Sequence, residues 1–247
     1  MNMQTTRRTV AAMMAGAAAL AITGFTALGS IFEYPQILKH PTAEILDAYR
    51  EQQSAITGWF LALVISAALL APIGILLGRI AGGTLGRWIT ALGIAAATVQ
   101  VVGLSRWVLL IPGVAEDATQ PALTEGAHRT FEALHLWLGT ILGETIGYAL
   151  TATFTVMVVI AFTSNGAVSR TTRWIGYLGY LSAALIATGV FIPFGLASAS
   201  ISNFIGYVAW CLWLIAMAAL LWRARGATPR ISSLADQAQL PVSTDRT

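Results

Sequence analysis

Six long apolar runs, each closed by charged or turn-forming residues, dominate the chain. They extend from about Val10 to Phe32, Ala55 to Leu77, Trp88 to Ile111, Leu134 to Phe162, Trp174 to Leu196 and Asn203 to Trp222. Each reaches the roughly 20 residues that a helix needs to cross a bilayer core. Lipid offers no partner to backbone N–H and C=O groups, so such spans close their hydrogen bonds internally, as helices. The pattern predicts an all-α, polytopic bundle of six transmembrane helices. Residues 1–9 precede it, residues 10–222 form the transmembrane domain, and residues 223–247 form a polar tail without apolar period, expected to be disordered.

Two connections are long enough to fold. After Pro41, the stretch Thr42 to Glu51 places Ile45, Leu46 and Tyr49 on one face and Glu44, Asp47 and Glu51 on the other, the signature of a short amphipathic helix. The connection from Val114 to Ala133 turns helical after Pro121. Pro72 and Pro193 fall inside spans and predict kinks. No internal repeat is visible.

Charge sets an expected orientation. With the N-terminus in the cytoplasm, the inner segments carry Arg7, Arg8, Arg79, Arg87, Arg170, Arg173, Arg223, Arg225, Arg230 and Arg246. Lys39, Arg50, Arg106 and Arg129 lie on the outer side, so the bias follows the positive-inside rule and puts both termini inside. The acids agree, since only Asp236 and Asp245 fall inside. Trp59, Trp107 and Trp137 lie near outer ends and Trp88, Trp174 and Trp222 near inner ends, where indole rings prefer the interface; Trp210 and Trp213 are mid-span. The two short connection helices are then on the outer side. An Ala-rich first run behind Arg7-Arg8 also admits a second reading, a removable twin-arginine signal that would leave five spans.

Composition supports the lipid setting: 56% of residues are hydrophobic and 10% charged, against about 25% charged in soluble domains. The scattered arginines form no basic face with interleaved aromatics, so nucleic acid is not an expected partner. The bilayer is, with other membrane proteins or further copies of the chain as candidates. Cys211 is the single cysteine, which excludes an intrachain disulfide. High Ala and Gly content and Arg in place of Lys suggest a GC-rich bacterium and hence its inner membrane.

Glu144 is the most informative residue. It lies roughly 13 Å below the outer end of the fourth span at 1.5 Å per residue. A carboxylate at that depth is costly unless paired, protonated or facing water. Arg106 and Gln100 of the third span lie at suitable depths, so an Arg106–Glu144 ion pair supported by Gln100 is the simplest expectation. It is readable as a fixed clamp or as a proton- or ligand-binding centre. A second group is His128, Glu132 and His135, spaced to share a helix face with Glu125 one turn earlier, and with His40 as a ligand from the first connection. It reads as a wet polar stripe or as a metal or haem site, and no cofactor is otherwise expected. On a continuous α-helix Glu144 points away from these histidines, so a shared site requires a bend, for which Gly139 is a candidate. Gly139, Gly143 and Gly147 recur every four residues and predict a close helix-packing seam. No nucleotide loop, Cys-x-x-Cys pair or serine nucleophile elbow is present.

Three local patterns carry a resemblance: Phe32-Glu33-Tyr34-Pro35-Gln36-Ile37-Leu38 with Pro41, Gln100-Val101-Val102-Gly103-Leu104-Ser105-Arg106-Trp107 with Pro112, and Gly143-Glu144-Thr145-Ile146-Gly147-Tyr148. Across residues 5–222 the chain resembles a family of small bacterial multi-pass membrane proteins of unknown function. The resemblance implies no activity, substrate or cofactor, but implies that Arg106 and Glu144 belong to one unit. The expected function is non-enzymatic: transporter-like, sensory or accessory. The alternative is a membrane enzyme using a metal or haem at His128, Glu132 and His135.

Overall fold

The computed structural model describes residues 2–164 and 169–224. The predicted tail, apart from Arg223 and Ala224, lies outside the described residues. All regular structure among those residues is helical. Six helices are long and apolar enough to cross a membrane: α1 (Met3–Ile31), α3 (Gln53–Ala81), α4 (Gly83–Asp117), α5 (Thr124–Thr163), α6 (Arg170–Phe194) and α7 (Ser198–Arg223). The short α2 (Thr42–Glu51) lies where the amphipathic pattern put it, burying Ile45, Leu46 and Tyr49.

Each span packs on its sequence neighbour, and α1 also packs on α7, so six antiparallel helices close into a ring. Arg8 of α1 lies over the Trp222 ring of α7, 5.8 Å from its centroid, which puts both described ends of the chain at one end of the ring. This is called the terminal end below, and the opposite end the distal one. α1 is a full member of the ring. Val10, Met14, Ala17 and Ala18 are buried, and Ser66 Oγ of α3 donates to Ala17 O at 2.8 Å.

Local sequence explains the breaks. The α3 helix is interrupted at Leu69, three residues before Pro72, whose missing N–H and ring bulk disturb the preceding turn. Pro112 opens the short distal extension of α4 (Ile111–Asp117) after a break at Leu110. Pro193 lies in the tighter 3-10 turn Thr188–Phe194 that ends α6. Gly82 and Gly83 take φ of 69° and 57° in the turn between α3 and α4, a conformation that glycine adopts without steric penalty.

Two apolar clusters fill the bundle. The terminal cluster draws on all six spans, among them Met14, Leu77, Ile89, Phe154, Ile186 and Trp213. The distal cluster is built from α1 to α5 and the α1–α2 connection, with Leu28, Leu46, Ile56, Phe60, Trp107 and Phe131. Its centre is aromatic: the Phe60 ring stacks on Trp107 at 4.8 Å, and Phe32 meets the same indole edge-on at 5.3 Å. α2 is fastened over this cluster by Tyr49, whose hydroxyl pairs with Thr57 Oγ1 at 2.7 Å and donates to Trp107 O at 3.2 Å. Arg50 Nη1 adds a bond to Ala115 O at 3.2 Å.

Candidate functional site: a polar layer between two apolar clusters

On α4, Ala96 and Ala97 belong to the terminal cluster and Trp107 to the distal one. Gln100, Gly103 and Arg106 lie between them. On α5, Phe131 is distal and Ala152 and Phe154 terminal, with Gly139, Glu144, Tyr148 and Thr151 between. Gln100, Arg106, Glu144, Tyr148 and Thr151 thus lie together at the boundary of the two clusters.

The geometry of α5 sets this layer. From His135 to Ile146 the helix is a π-helix, with wider turns and i→i+5 bonding. Thr145 Oγ1 correspondingly donates to the carbonyl five residues back, Thr140 O, at 2.9 Å. In an α-helix, the nine residues from His135 to Glu144 turn by about half a revolution beyond whole turns. With about 4.4 residues per π turn, the two directions agree within about 20°. The expected bend at Gly139 is therefore replaced by a change of helical pitch, which brings His135 and Glu144 to the side of Arg106. Both couple electrostatically to that guanidinium.

Gly139, Gly143 and Gly147 lie against α4. A Cβ on Gly143 would lie 3.0 Å from Leu138 O and 3.5 Å from Gly103 Cα, and one on Gly147 would touch Gln100 Cγ at 3.4 Å. A Cβ on Gly139 would stand 2.7 Å from Arg106 Nη2 and 3.2 Å from His135 Nδ1. Arg106 thus lies flat against the bare backbone of the π segment. It is 4% exposed, its Nη1 donates to Gly103 O at 2.5 Å, and its Cζ lies 5.6 Å from the centroid of the Trp107 ring.

The expected ion pair is not closed. Among the described residues no carboxylate lies within 4 Å of Arg106. Gln100 supports a different partner, donating from Nε2 to Thr151 Oγ1 at 2.7 Å. From there a chain of bonds runs toward the terminal cluster: Thr151 donates to Gly147 O, Thr155 to Thr151 O, and Trp210 Nε1 to Thr155 Oγ1 at 2.9 Å. Tyr34, in the turn after α1, joins the layer from the distal side. Burial pushes its hydroxyl up to about 12; Arg106 opposes the shift and Glu144 adds to it. Tyr148 and Tyr207, with ring centroids 5.6 Å apart, carry the layer across to α7.

The histidine group does not converge. His40 Nδ1 pairs with Glu44 at 3.1 Å, Glu132 accepts from Thr42 Oγ1 at 3.1 Å, and Glu125 pairs with Arg129. The His135 ring is stacked on Phe131 at 6.1 Å, with its Nδ1 buried toward Gly139. Among the described residues no three His, Cys, Asp or Glu side chains gather as metal ligands. Two surface grooves lie at the terminal end, one at Thr84, Arg87, Trp88 and Ala91 and one at Gln4, Arg8, Trp222 and Arg223.

Sequence reasoning missed Tyr34, Tyr148, Thr151, Thr155, Tyr207 and Trp210. One signal was available: a mid-span tryptophan needs a partner for its indole N–H, which directs attention to threonines on facing helices.

Fold and layer together define an integral membrane protein, a six-helix ring with a charged layer inside its apolar interior. The family model described as "Domain of unknown function (DUF4386)" matches residues 10–218, and the chain belongs to that family. No curated protein and no solved structure matches it.

Proposed function

We propose that this chain is a bacterial inner-membrane protein with both termini in the cytoplasm, acting without enzymatic chemistry as a small carrier or sensor whose working centre is the Arg106–Glu144 layer. The arginine bias toward the terminal end supports the orientation, and the place of α1 in the ring supports its retention as a span. The observation that carries the functional reading is the open relation of Arg106 and Glu144. The two share one layer and act on each other electrostatically, yet they are not ion-paired. A structural clamp would close that pair, because an unpaired charge in the interior is the costly state. A centre that exchanges partners during its work keeps them apart.

The test is complementation of a deletion strain with Glu144→Gln, Arg106→Lys and the double variant, with membrane levels measured in parallel. Variants that accumulate normally and fail to restore the phenotype support a working centre. Variants that fail to accumulate identify a clamp.

A further inference from the structure

At the terminal end the seam between α1 and α7 opens into a groove lined by Gln4, Arg8, Trp222 and Arg223. Its volume, about 510 Å³, falls within the roughly 300–1,000 Å³ of small-ligand sites. Arg8 is held over the Trp222 ring, and among the described residues no carboxylate lies within 4 Å of Arg8 or Arg223. Neither α1 nor α7 contains an acid, and every acid among the described residues lies at the distal end or, as Glu144, in the layer. Two cations therefore share one groove without an anion from the described chain. Trp222 is exposed beside them, as indole rings are at a membrane interface. From the groove inward, the outer faces of both helices are apolar. Ala12, Ala15 and Ala19 follow Arg8 at helical spacing, Ala219 and Ile215 precede Trp222 likewise, and all are exposed. Because α1 and α7 are antiparallel, both stripes run from the groove toward the bilayer centre.

We infer that this groove binds the headgroup of an anionic phospholipid, with Arg8 and Arg223 on its phosphodiester, Gln4 on a headgroup hydroxyl and an acyl chain along the alanine stripe of α1. The site stands apart from the Arg106–Glu144 layer and does not depend on the role of that layer. Three arguments select the ligand. Guanidinium N–H groups match phosphate oxygens in charge-assisted hydrogen bonds, and basic clusters at the ends of spans attract anionic lipid. A zwitterionic headgroup also brings an ammonium group, which two arginines repel and no described carboxylate receives. A free phosphate would meet the same arginines, but an exposed apolar stripe leading away from them matches only a ligand with a hydrocarbon chain.

The experiment is a native mass-spectrometric titration of the full-length protein, purified in detergent and stripped of lipid. The probes are phosphatidylglycerol and phosphatidylcholine with the same acyl chains. Glycerophosphoglycerol, the same anionic headgroup without chains, and inorganic phosphate serve as competitors. Saturable binding of phosphatidylglycerol is expected for the natural sequence, with phosphatidylcholine at least about tenfold weaker and neither competitor displacing the lipid. Arg8→Gln and Arg223→Gln should each weaken phosphatidylglycerol by about tenfold, the usual effect of losing one hydrogen-bonded charge contact. Arg87→Gln removes the same charge from the other groove at this end and should leave the affinity unchanged. The inference is overturned if the two lipids bind equally, or if Arg87→Gln weakens binding as much as Arg8→Gln, since the attraction would then belong to the whole basic end. It also falls if inorganic phosphate or glycerophosphoglycerol displaces the lipid, which would identify a site for a free anion, or if the folded variants bind as the natural protein does. Should Arg8→Gln not fold, Arg223→Gln, whose side chain ends the last helix, decides the matter in the same titration.

Discussion

Gly74→Ala tests a close backbone contact between two spans of the ring. α3 and α4 cross with Gly74 against Gly93, and Gly78 against Gly86. A Cβ built on Gly74 would lie 2.9 Å from Gly93 Cα and 3.3 Å from Ile89 O. Both neighbours are backbone atoms, so no side chain can rotate away. Carbon pairs rest at about 3.5–4.0 Å, so the two helices must separate by roughly 0.6 Å or more at this point. That loosens the packing of Leu70, Ile73, Leu77 and Ile89, all buried beside the crossing. Overpacking of this kind costs about 1–3 kcal/mol, with the rigid neighbours favouring the upper end. The replacement returns about 1 kcal/mol, because alanine is the better helix former. The net expectation is a loss of about 2 kcal/mol, or a Tm lower by about 4–8 °C for a chain of this size. Thermal unfolding of purified protein in one detergent measures it. Gly16→Ala and Gly58→Ala are the controls, since a Cβ at either meets nothing within 4 Å. They should raise Tm by about 2–4 °C through helix propensity alone. A Gly74→Ala protein as stable as the Gly58→Ala protein would refute the close crossing.

Two further outcomes follow from the layer. Thr155→Val keeps the shape of a fully buried side chain but removes the acceptor of Trp210 Nε1, leaving that N–H orphaned at a cost of about 1–3 kcal/mol. Thr155→Ser should retain most of the stability in the same thermal assay, and equal stability of the valine variant would disprove the bond. Tyr34 holds its proton to about 12 in the folded state against an ordinary value of 10. Between those values the unfolded chain releases a proton that the folded chain keeps, so stability falls with rising pH. Its contribution is therefore complete below pH 10 and lost as pH climbs toward about 12. Denaturation curves of the natural protein and Tyr34→Phe should diverge only in that window, and identical pH profiles would contradict the burial of the hydroxyl.

The sequence made the spans legible because lipid imposes a solvent requirement that composition alone satisfies, residue by residue. The same holds for α2, where Ile45, Leu46 and Tyr49 repeat at helical spacing and are the residues that the structure buries. The pairing of the spans was less visible. Gly74, Gly78, Gly86 and Gly93 flank the Gly82-Gly83 turn, but their contact is a relation between two helices and leaves no period within either. Gln100 is expected from its position to support Arg106 and Glu144, whereas it donates to Thr151 Oγ1. Threonine spans membranes readily and carries no charge to mark it, so Thr151 and Thr155 passed as part of an apolar run.

The π-helix was the feature least open to sequence reasoning, and it decides the site. Periodicity analysis assumes one pitch along a helix, and under an α pitch His135 and Glu144 belong to opposite faces. Nothing in the stretch His135 to Ile146 forces the wider turn locally: Gly139 and Gly143 weaken an α-helix, but Leu136, Leu138 and Leu142 favour one. The cause lies in the packing at either end. α5 meets the distal cluster through Phe131 and the terminal cluster through Phe154 and Val158, and these two contacts fix the rotation of the helix independently. An unbroken α pitch between them would carry Glu144 away from Arg106. The wider π turn absorbs the mismatch inside the polar layer, where Gly139 lets Arg106 lie against the backbone. A helix irregularity that is unfavourable in isolation is thus held in place by two apolar clusters, and the residues it brings together are those on which the proposed function depends.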